Sequence, residues 1–181
     1  MGVSYRSKIT HDLKGDGEFR IPDNTQATAS ALGFEDGKID GGVTLPETLS
    51  VALLHQLTPK LALMADATWT RWSRFEELRI NSDVDRLNSV KAEDWDNSMR
   101  YGLGLEYQAN DRWSWRAGGA YDETPIPNAQ RRTPRIPDSD RTWIAVGASY
   151  QYSDNIVLDA AYSHIFMKDT NIDDTASNGN Q

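Results

Sequence analysis

Hydrophobic and polar residues alternate along several short segments of this chain. From Met99 the odd positions are apolar, while the even ones between Arg100 and Gln108 are charged, amide or glycine. The segment 112–122 repeats this division, with Trp113, Trp115 and Tyr121 on one face and Arg116 on the other. A period of two predicts β-strands that each have one apolar face. The pattern predicts seven strands, at about 3–13, 43–57, 61–80, 98–108, 112–122, 141–152 and 156–167.

The connections between these segments alternate between short and long. Three of them are tight polar turns, and the others are long polar loops at 20–42, 81–97 and 123–140. Alternating lengths place all the short turns at one end of the sheet, which is typical of an outer-membrane β-barrel. The fold class predicted for residues 1–181 is therefore all-β, an antiparallel transmembrane β-barrel that is partial, and the predicted location is the Gram-negative outer membrane.

Bulk composition agrees with this interpretation once the strand pattern is considered. Only 38% of the residues are hydrophobic, the mean hydropathy is -0.64, and no apolar run approaches the roughly 18 residues of a spanning helix. Barrel strands place apolar residues at alternate positions only, so their mean hydropathy is low. The chain has no cysteine, which excludes a disulfide framework, and its formal charge of -8 argues against nucleic acid as a partner.

The same alternation is compatible with a soluble β-sandwich or lipocalin, in which the apolar face would be buried. The polar face argues for a wet lumen, because Arg100, Glu106, Arg116 and Asp122 would need very good pairing inside a dry core. Aromatic residues also concentrate near strand ends, where the aromatic girdles of a barrel lie.

Two long stretches, 44–79 and 95–166, resemble the C-terminal half of the FadL family of outer-membrane long-chain fatty-acid and aromatic-hydrocarbon transporters. The most specific part is DETPIPNAQRRTPRIPDSDRTW (Asp122–Trp143), and GVSYRSKI near the start is also similar. The resemblance implies a barrel of about 14 strands, plugged by an N-terminal hatch, that binds a hydrophobic ligand in its lumen. It also implies that the hatch, the strands with a lateral gap and the last strands lie outside this chain, which we expect to be an internal piece of a barrel that is monomeric at full length.

A fatty acid needs a cation at one end of a mostly apolar pocket. Lys91 matches the position of the family's carboxylate-binding lysine, which precedes the strand near Ser98, and is the first candidate. The alternative for Lys91 is a solvated lysine in a polar loop. Arg100 and Arg116 on the lumen face are second candidates, and their alternative role is to pair with Glu106 and Asp122 across neighbouring strands.

The long loop 123–140 contains four prolines and three arginines, Arg131, Arg132 and Arg135. We expect these arginines to brace the loop against acidic residues such as Asp138 and Asp140. The alternative is that they bind lipopolysaccharide phosphates at the cell surface.

Enzymatic chemistry is not indicated by the sequence. The three histidines do not have the spacing of metal ligands. No recognisable arrangement of a nucleophile, a base and an oxyanion donor is present, so we expect no metal site, no cofactor and no catalytic site. The predicted function is uptake of long-chain fatty acids or similar hydrophobic compounds. A non-selective porin and a non-functional structural barrel fragment are the alternatives.

Overall fold

The computed structural model describes residues 1–83, 88–134 and 136–173 as two antiparallel β-sheets. Eleven strands follow one another along the chain, with one short helix, α1 (Gln26–Ala31), and two 3₁₀ turns, Asp23–Thr25 and Trp72–Arg74, between them. The strands are β1 (Gly2–Arg6), β2 (Ile9–Gly17), β3 (Gly37–Leu45), β4 (Thr48–Thr58), β5 (Leu61–Thr70), β6 (Glu77–Ser82), β7 (Ser89–Ala92), β8 (Ser98–Gln108), β9 (Trp113–Asp122), β10 (Arg141–Ser153) and β11 (Ile156–Met167).

The larger sheet, called here the membrane sheet, contains seven strands in the order β1-β4-β5-β8-β9-β10-β11. The smaller sheet, called here the distal sheet, contains β2, β3, β6 and β7 in that order. Each distal strand is joined through a short connection to one of the first four membrane strands. The order of the distal strands therefore repeats the order of those four membrane strands, further from the tight turns. The distal sheet is therefore an extension of the long hairpins beyond the membrane sheet.

Three predicted strands are each divided between the two sheets. The range 3–13 contains β1 and β2, the range 43–57 contains the end of β3 and then β4, and the range 61–80 contains β5 and β6. Pro46 contributes to one break because proline has no N–H to donate to a ladder. The third break includes the 3₁₀ turn at Trp72–Arg74.

Two predicted loops also contain strands. Strand β3 begins inside the range 20–42, and β7 lies inside the range 81–97. These segments were missed because GKIDGGVTL in β3 has few apolar residues and SVKA in β7 is only four residues long. Among the other predicted ranges, β8 and β11 occupy 98–108 and 156–167 as expected.

The three tight turns share one hydrogen-bonding device. A glutamine lies within the last three residues of the strand before each turn, and its side-chain amide donates to the carbonyl oxygen two residues later: Gln56 to Thr58 at 2.6 Å, Gln108 to Asn110 at 2.7 Å and Gln151 to Ser153 at 2.6 Å. All three turns lie at the end of the membrane sheet away from the distal sheet.

The apolar face of the membrane sheet is exposed. Leu103 has 60% of its surface exposed and Tyr162 66%, whereas Gly102, Gly104 and Glu106 on the other face of the sheet are half-buried. This difference indicates that the sheet curves toward its polar face, as the wall of a barrel does. No second layer covers the apolar face within the described part of the chain, so the sandwich alternative is wrong. None of the helices described there is long and apolar enough to cross a bilayer.

Candidate functional site

The small hydrophobic core of the described chain lies at the junction of the two sheets. Phe75, Trp95 and Ile126 are buried there, with Trp72 and Ile136 packed against them. The Trp95 ring meets Trp72 edge-to-face at 5.1 Å between centroids and Phe75 at 4.9 Å. Such geometry stabilises aromatic pairs because the positive edge of one ring faces the negative face of the other.

A hollow of about 390 Å³ opens beside this cluster at the distal end of the polar face. Its volume falls in the range of small-molecule sites, roughly 300–1,000 Å³. Trp72, Trp95, Pro125 and Ile136 supply the apolar part of its lining, and Arg100, Arg141 and several carboxylates supply the charged part. The hollow thus combines an aromatic wall with a charged margin of two arginines and three carboxylates.

The charges at the hollow form one group of ion pairs, called here the upper belt. Arg100 contacts Asp66 at 3.4 Å, and Arg141 contacts Asp122 at 3.1 Å and Asp138 at 3.5 Å. Arg100 pairs with neither Glu106 nor Asp122, the partners expected from the sequence: Arg100 and Asp122 are neighbours in the strand register, yet each side chain reaches a different strand. The reason is that long side chains can also contact diagonal neighbours.

Two buried donors near the upper belt have no hydrogen-bond partner among the residues described. They are Nε of Arg141 and Nε1 of Trp143, two positions further along β10. Buried donors are nearly always paired in native proteins, so each unpaired one calls for an explanation. The side chains of Arg141 and Trp143 lie on the polar face of β10, as does that of Ser149, whereas the exposed Ile144 and Val146 lie on the other face.

A second group of charges, called here the lower belt, lies near the tight turns. Arg116 contacts Glu106 at 3.4 Å and Asp159 at 3.6 Å, and donates to Ser149 Oγ at 2.8 Å. Ser149 in turn donates to Asp159. The predicted structural pairing of Arg116 with Glu106 is present. Six residues along β8 separate Arg100 from Glu106, roughly 20 Å, so Arg116 does not reach the hollow.

Small side chains separate the two belts on the polar face. The strand register aligns Gly104, Gly118 and Ala145 in one row and Gly102 with Ala120 in the next. A Cβ added to Gly102 would overlap the Asp66 carboxylate, with Cγ only 3.0 Å away. Glycine at this position therefore leaves room for the Asp66 side chain to reach Arg100.

Lys91 lies in β7 of the distal sheet, where its register partner is Leu78. The prediction of a loop position for Lys91 was wrong, because this short strand pairs with β6. Lys91 does not line the hollow. The structure therefore separates the three candidate cations: Lys91 in the distal sheet, Arg100 in the upper belt and Arg116 in the lower belt.

The long loop between β9 and β10 is tied down by its arginines. Arg131 contacts Asp94 at 2.6 Å, and Arg132, which is buried, donates to the carbonyl oxygens of Asp138 at 2.8 Å and Asn171 at 3.0 Å. Arg131 thus braces the loop against an acidic side chain as predicted, whereas Arg132 braces it through backbone carbonyl oxygens. Arg135 lies outside the described residues.

Two buried carboxylates outside the membrane sheet have pKa values shifted in opposite directions. Glu47, between β3 and β4, accepts hydrogen bonds from Arg71 at 2.9 Å and Arg74 at 3.4 Å, and the Arg71 bond is the largest cause of a lowered pKa. Burial raises the pKa of Glu93, although Trp95 Nε1 donates to it at 3.1 Å. Glu47 therefore holds the junction as a carboxylate, whereas burial favours the neutral form of Glu93.

The sequence analysis missed Trp72, Trp95 and Arg141 as site residues. Alternation along β10 was a usable signal for Arg141, because it shares a face with Trp143 rather than with Ile144. No comparable signal existed for Trp95, which lies in a polar connection before β8. Among the residues placed by the structure, no group of three or more His, Cys, Asp or Glu side chains could hold a metal ion.

Comparison with known proteins places the chain in a family. The family model described as outer membrane protein transport protein (OMPP1/FadL/TodX) matches residues 1–181. A putative outer membrane protein of Neisseria meningitidis serogroup B is 34% identical over 99% of this chain and 41% of its own length. The long-chain fatty acid transport protein of Escherichia coli O6:H1 is 31% identical over 90% of this chain and 38% of its own length.

Solved structures agree in fold. A FadL homologue of Pseudomonas aeruginosa has a TM-score of 0.79 at 32% identity, covering 92% of this chain and 40% of that one. The toluene transporter TbuX of Ralstonia pickettii has a TM-score of 0.55 at 20% identity, covering 89% and 37%, and this likeness concerns the fold alone.

The chain spans about two fifths of the length of these relatives. The family is one of transport proteins, which agrees with the expectation that the chain is not an enzyme. The exposed apolar face, the charged face on the other side of the sheet and the family match over residues 1–181 together show that this chain is an antiparallel part of an outer-membrane β-barrel and belongs to the OMPP1/FadL/TodX transport family.

Proposed function

We propose that this chain forms part of a barrel that takes up long-chain fatty acids or similar hydrophobic compounds across the outer membrane. The observation that carries the proposal is the hollow at the sheet junction, where an aromatic wall meets two arginines. A carboxylate group would face Arg100 and Arg141, while the acyl chain would contact Trp72 and Trp95. Such a site matches the two chemical halves of a fatty acid.

The unpaired donors support the position of the carboxylate. Arg141 uses a terminal nitrogen for Asp122 and Asp138, which leaves Nε to donate elsewhere. A ligand oxygen that accepts from Arg141 Nε would satisfy a buried donor at the lining of the hollow. Charge-assisted hydrogen bonds of this kind contribute about 1.5–3 kcal/mol each.

The three cations of the sequence prediction take different roles in this proposal. Arg100 borders the hollow and is the strongest of them for carboxylate binding. Lys91 lies in the neighbouring distal sheet and is proposed to attract the ligand before it enters. Arg116 is proposed to hold the wall together through the lower belt, with no ligand contact.

Uptake of labelled oleate by cells that carry the full-length gene tests the proposal. Arg141→Gln is expected to weaken oleate binding by about tenfold or more, which corresponds to the loss of one charge-assisted hydrogen bond. Arg79→Gln is the matched control, because the ion pair that Arg79 makes within the described residues is with exposed Glu77 in the distal sheet, at 2.8 Å. Equal uptake by the two variants would remove the proposed carboxylate site.

Lys91→Ala separates attraction from binding. If Lys91 acts before entry, the variant slows uptake at low oleate concentration and at low salt, while the equilibrium affinity stays near that of the unmodified protein.

Planar-bilayer conductance distinguishes the porin alternative, which predicts steady ion currents and no saturable oleate binding.

A further inference from the structure

Arg141 Nε is a buried donor without a partner among the described residues, although a carboxylate of the long loop lies close to this arginine. The Asp138 carboxylate contacts a terminal nitrogen of Arg141 at 3.5 Å, and both residues line the hollow. Arginine and carboxylate groups frequently pair as a fork, in which two guanidinium nitrogens donate to two carboxylate oxygens. Asp138 does not extend such a fork to Nε, and the contacts that hold Asp138 in place explain why.

Thr124 and Arg132 both hold Asp138. Thr124 Oγ1 donates to Asp138 Oδ2 at 2.9 Å, so this oxygen already has a donor. Arg132 Nε donates to the main-chain carbonyl oxygen of Asp138 at 2.8 Å. Pro137 directly precedes Asp138 and restricts the backbone there. The carboxylate is thus fixed through one oxygen and through its backbone, and Oδ1 is the oxygen that contacts Arg141.

Arg132 ties two segments of the chain together. It is only 6% exposed, and its second hydrogen bond runs from a terminal nitrogen to the Asn171 carbonyl oxygen at 3.0 Å, beyond the end of β11. Both bonds go to main-chain oxygens, and Arg132 forms no ion pair within the described part of the chain. Burial of a guanidinium without a carboxylate is costly. Arg132 therefore fixes the backbone of the loop and leaves the loop carboxylates to other partners.

The other carboxylate at Arg141 is fixed in a different way. Asp122 contacts the same terminal nitrogen at 3.1 Å, and the two residues are register partners in the ladder between β9 and β10. Strand pairing thus holds the backbone of Asp122, whereas Asp138 lies in the long loop and depends on side-chain hydrogen bonds. Of the two carboxylates, Asp138 is the one whose backbone would shift toward Arg141 Nε if those bonds were lost.

We infer that Arg132 is a positioning residue for ligand binding: it holds Asp138 away from Arg141 Nε and so keeps that donor open for a ligand oxygen. The inference rests on the proposed function, because it concerns the same hollow. Without the bond from Arg132, Asp138 completes the fork on Arg141, and a ligand carboxylate then has to displace it. Two carboxylates at one site repel each other, so a loosened Asp138 opposes an anionic ligand more than a neutral one.

Binding of oleate and of methyl oleate to the full-length protein in nanodiscs measures this effect. The two ligands share their hydrocarbon chain and only oleate has a carboxylate, so the ratio of their affinities, called here the oleate preference, isolates the head-group contact. Arg132→Lys keeps the charge but loses the planar fork that reaches two carbonyl oxygens. It is expected to lower the oleate preference about fivefold. Arg131→Lys is the matched control, because this neighbouring arginine pairs with Asp94, at 2.6 Å, and should leave the preference unchanged.

Asp138→Asn in the Arg132→Lys background separates positioning from a general loss of loop structure. An amide does not compete as an anion for Arg141, so the double variant is expected to regain the oleate preference of the unmodified protein. A disordered loop would not be repaired by a second substitution within it. Thr124→Val, which frees Asp138 Oδ2, is expected to lower the preference in the same way as Arg132→Lys. Heat-modifiable gel mobility verifies folding of each variant.

An oleate preference that stays unchanged in Arg132→Lys, or in Thr124→Val where the first variant does not fold, would overturn the inference. A double variant that stays as weak as Arg132→Lys would do the same. Arg141→Gln separates the inference from the proposed function. If Arg141→Gln lowers the oleate preference and Arg132→Lys does not, the carboxylate site stands and the positioning role fails. If Arg141→Gln leaves the preference unchanged, the carboxylate site fails, and the inference fails with it.

Discussion

Replacing Trp95 by alanine is expected to loosen the junction between the two sheets without opening the membrane sheet. Trp95 is only 6% exposed and contacts Trp72 and Phe75 edge-to-face. The next residue toward β8 is tied to the long loop, since Asp96 N–H donates to the Pro125 carbonyl oxygen at 2.8 Å. Removal of the Trp95 indole is therefore expected to weaken both the packing against Trp72 and Phe75 and the attachment of this segment to the long loop.

The magnitude follows from the buried area. A tryptophan buries about 150–250 Å², which at about 25 cal/mol per Å² gives roughly 4–6 kcal/mol. Measured losses for Trp→Ala in cores are about 3–5 kcal/mol. We therefore expect the local stability of the junction to fall by about 4 kcal/mol, which corresponds to an increase in local opening of roughly a thousandfold.

Hydrogen exchange of the full-length protein in detergent micelles measures this opening. The reporter amides are Phe75 N–H, which donates to the Trp72 carbonyl oxygen at 2.7 Å, and Asp96 N–H. Trp115→Ala is the matched control, because Trp115 is half exposed on the outward face and should leave both amides protected. An increase below about tenfold in Trp95→Ala, or equal deprotection of the amides in β9, would refute the reasoning.

Three further predictions concern single residues. Gly102→Ala should push the Asp66 carboxylate from its arginine partner and, because this pair is exposed, cost no more than about 1 kcal/mol in a urea unfolding titration. Glu47→Gln should differ from the unmodified protein above pH 4.5, the ordinary Glu pKa, and the difference in melting temperature should vanish as pH falls, because the lowered pKa stabilises only the carboxylate bound to Arg71. Glu93→Gln should show the reverse: its raised pKa makes the unmodified protein lose stability as pH rises through that pKa, and the variant should be flat over the same range in melting curves. A pH profile equal to that of the unmodified protein in either glutamate variant would contradict the corresponding assignment. So would a loss of unfolding free energy well above about 1 kcal/mol in Gly102→Ala.

The alternating strands were readable from sequence because their signal is local. In β8 each residue faces the side opposite to its neighbour, so Leu103 and Glu106 report their faces whatever the rest of the chain does. The alternation of short and long connections is likewise visible without any tertiary information. Prediction of the curved sheet and of its inward polar face rested on these two features.

The division of the long hairpins into two sheets was not readable in the same way. Strand β3 pairs with β2 and β6 through its backbone, and the glycines of GKIDGGVTL interrupt the apolar face that Ile39, Val43 and Leu45 share. Backbone hydrogen bonds between distant segments depend on which strands are brought side by side. Sequence periodicity does not contain that information.

The site shows the same contrast. Alternation put Arg100 and Arg116 on the polar face, and the expected contact of Arg116 with Glu106 followed from adjacent strands. Arg100 instead reaches Asp66 on the strand at its other side, a choice between two neighbours that rotamers and the room above Gly102 decide. Trp95 becomes a core residue only because the connection between β5 and β6 and the long loop both pack against the segment before β8. Periodicity thus decides which face a side chain takes, because it is a property of one strand, whereas the partner that the side chain meets depends on elements far apart in the chain, and only folding brings those together.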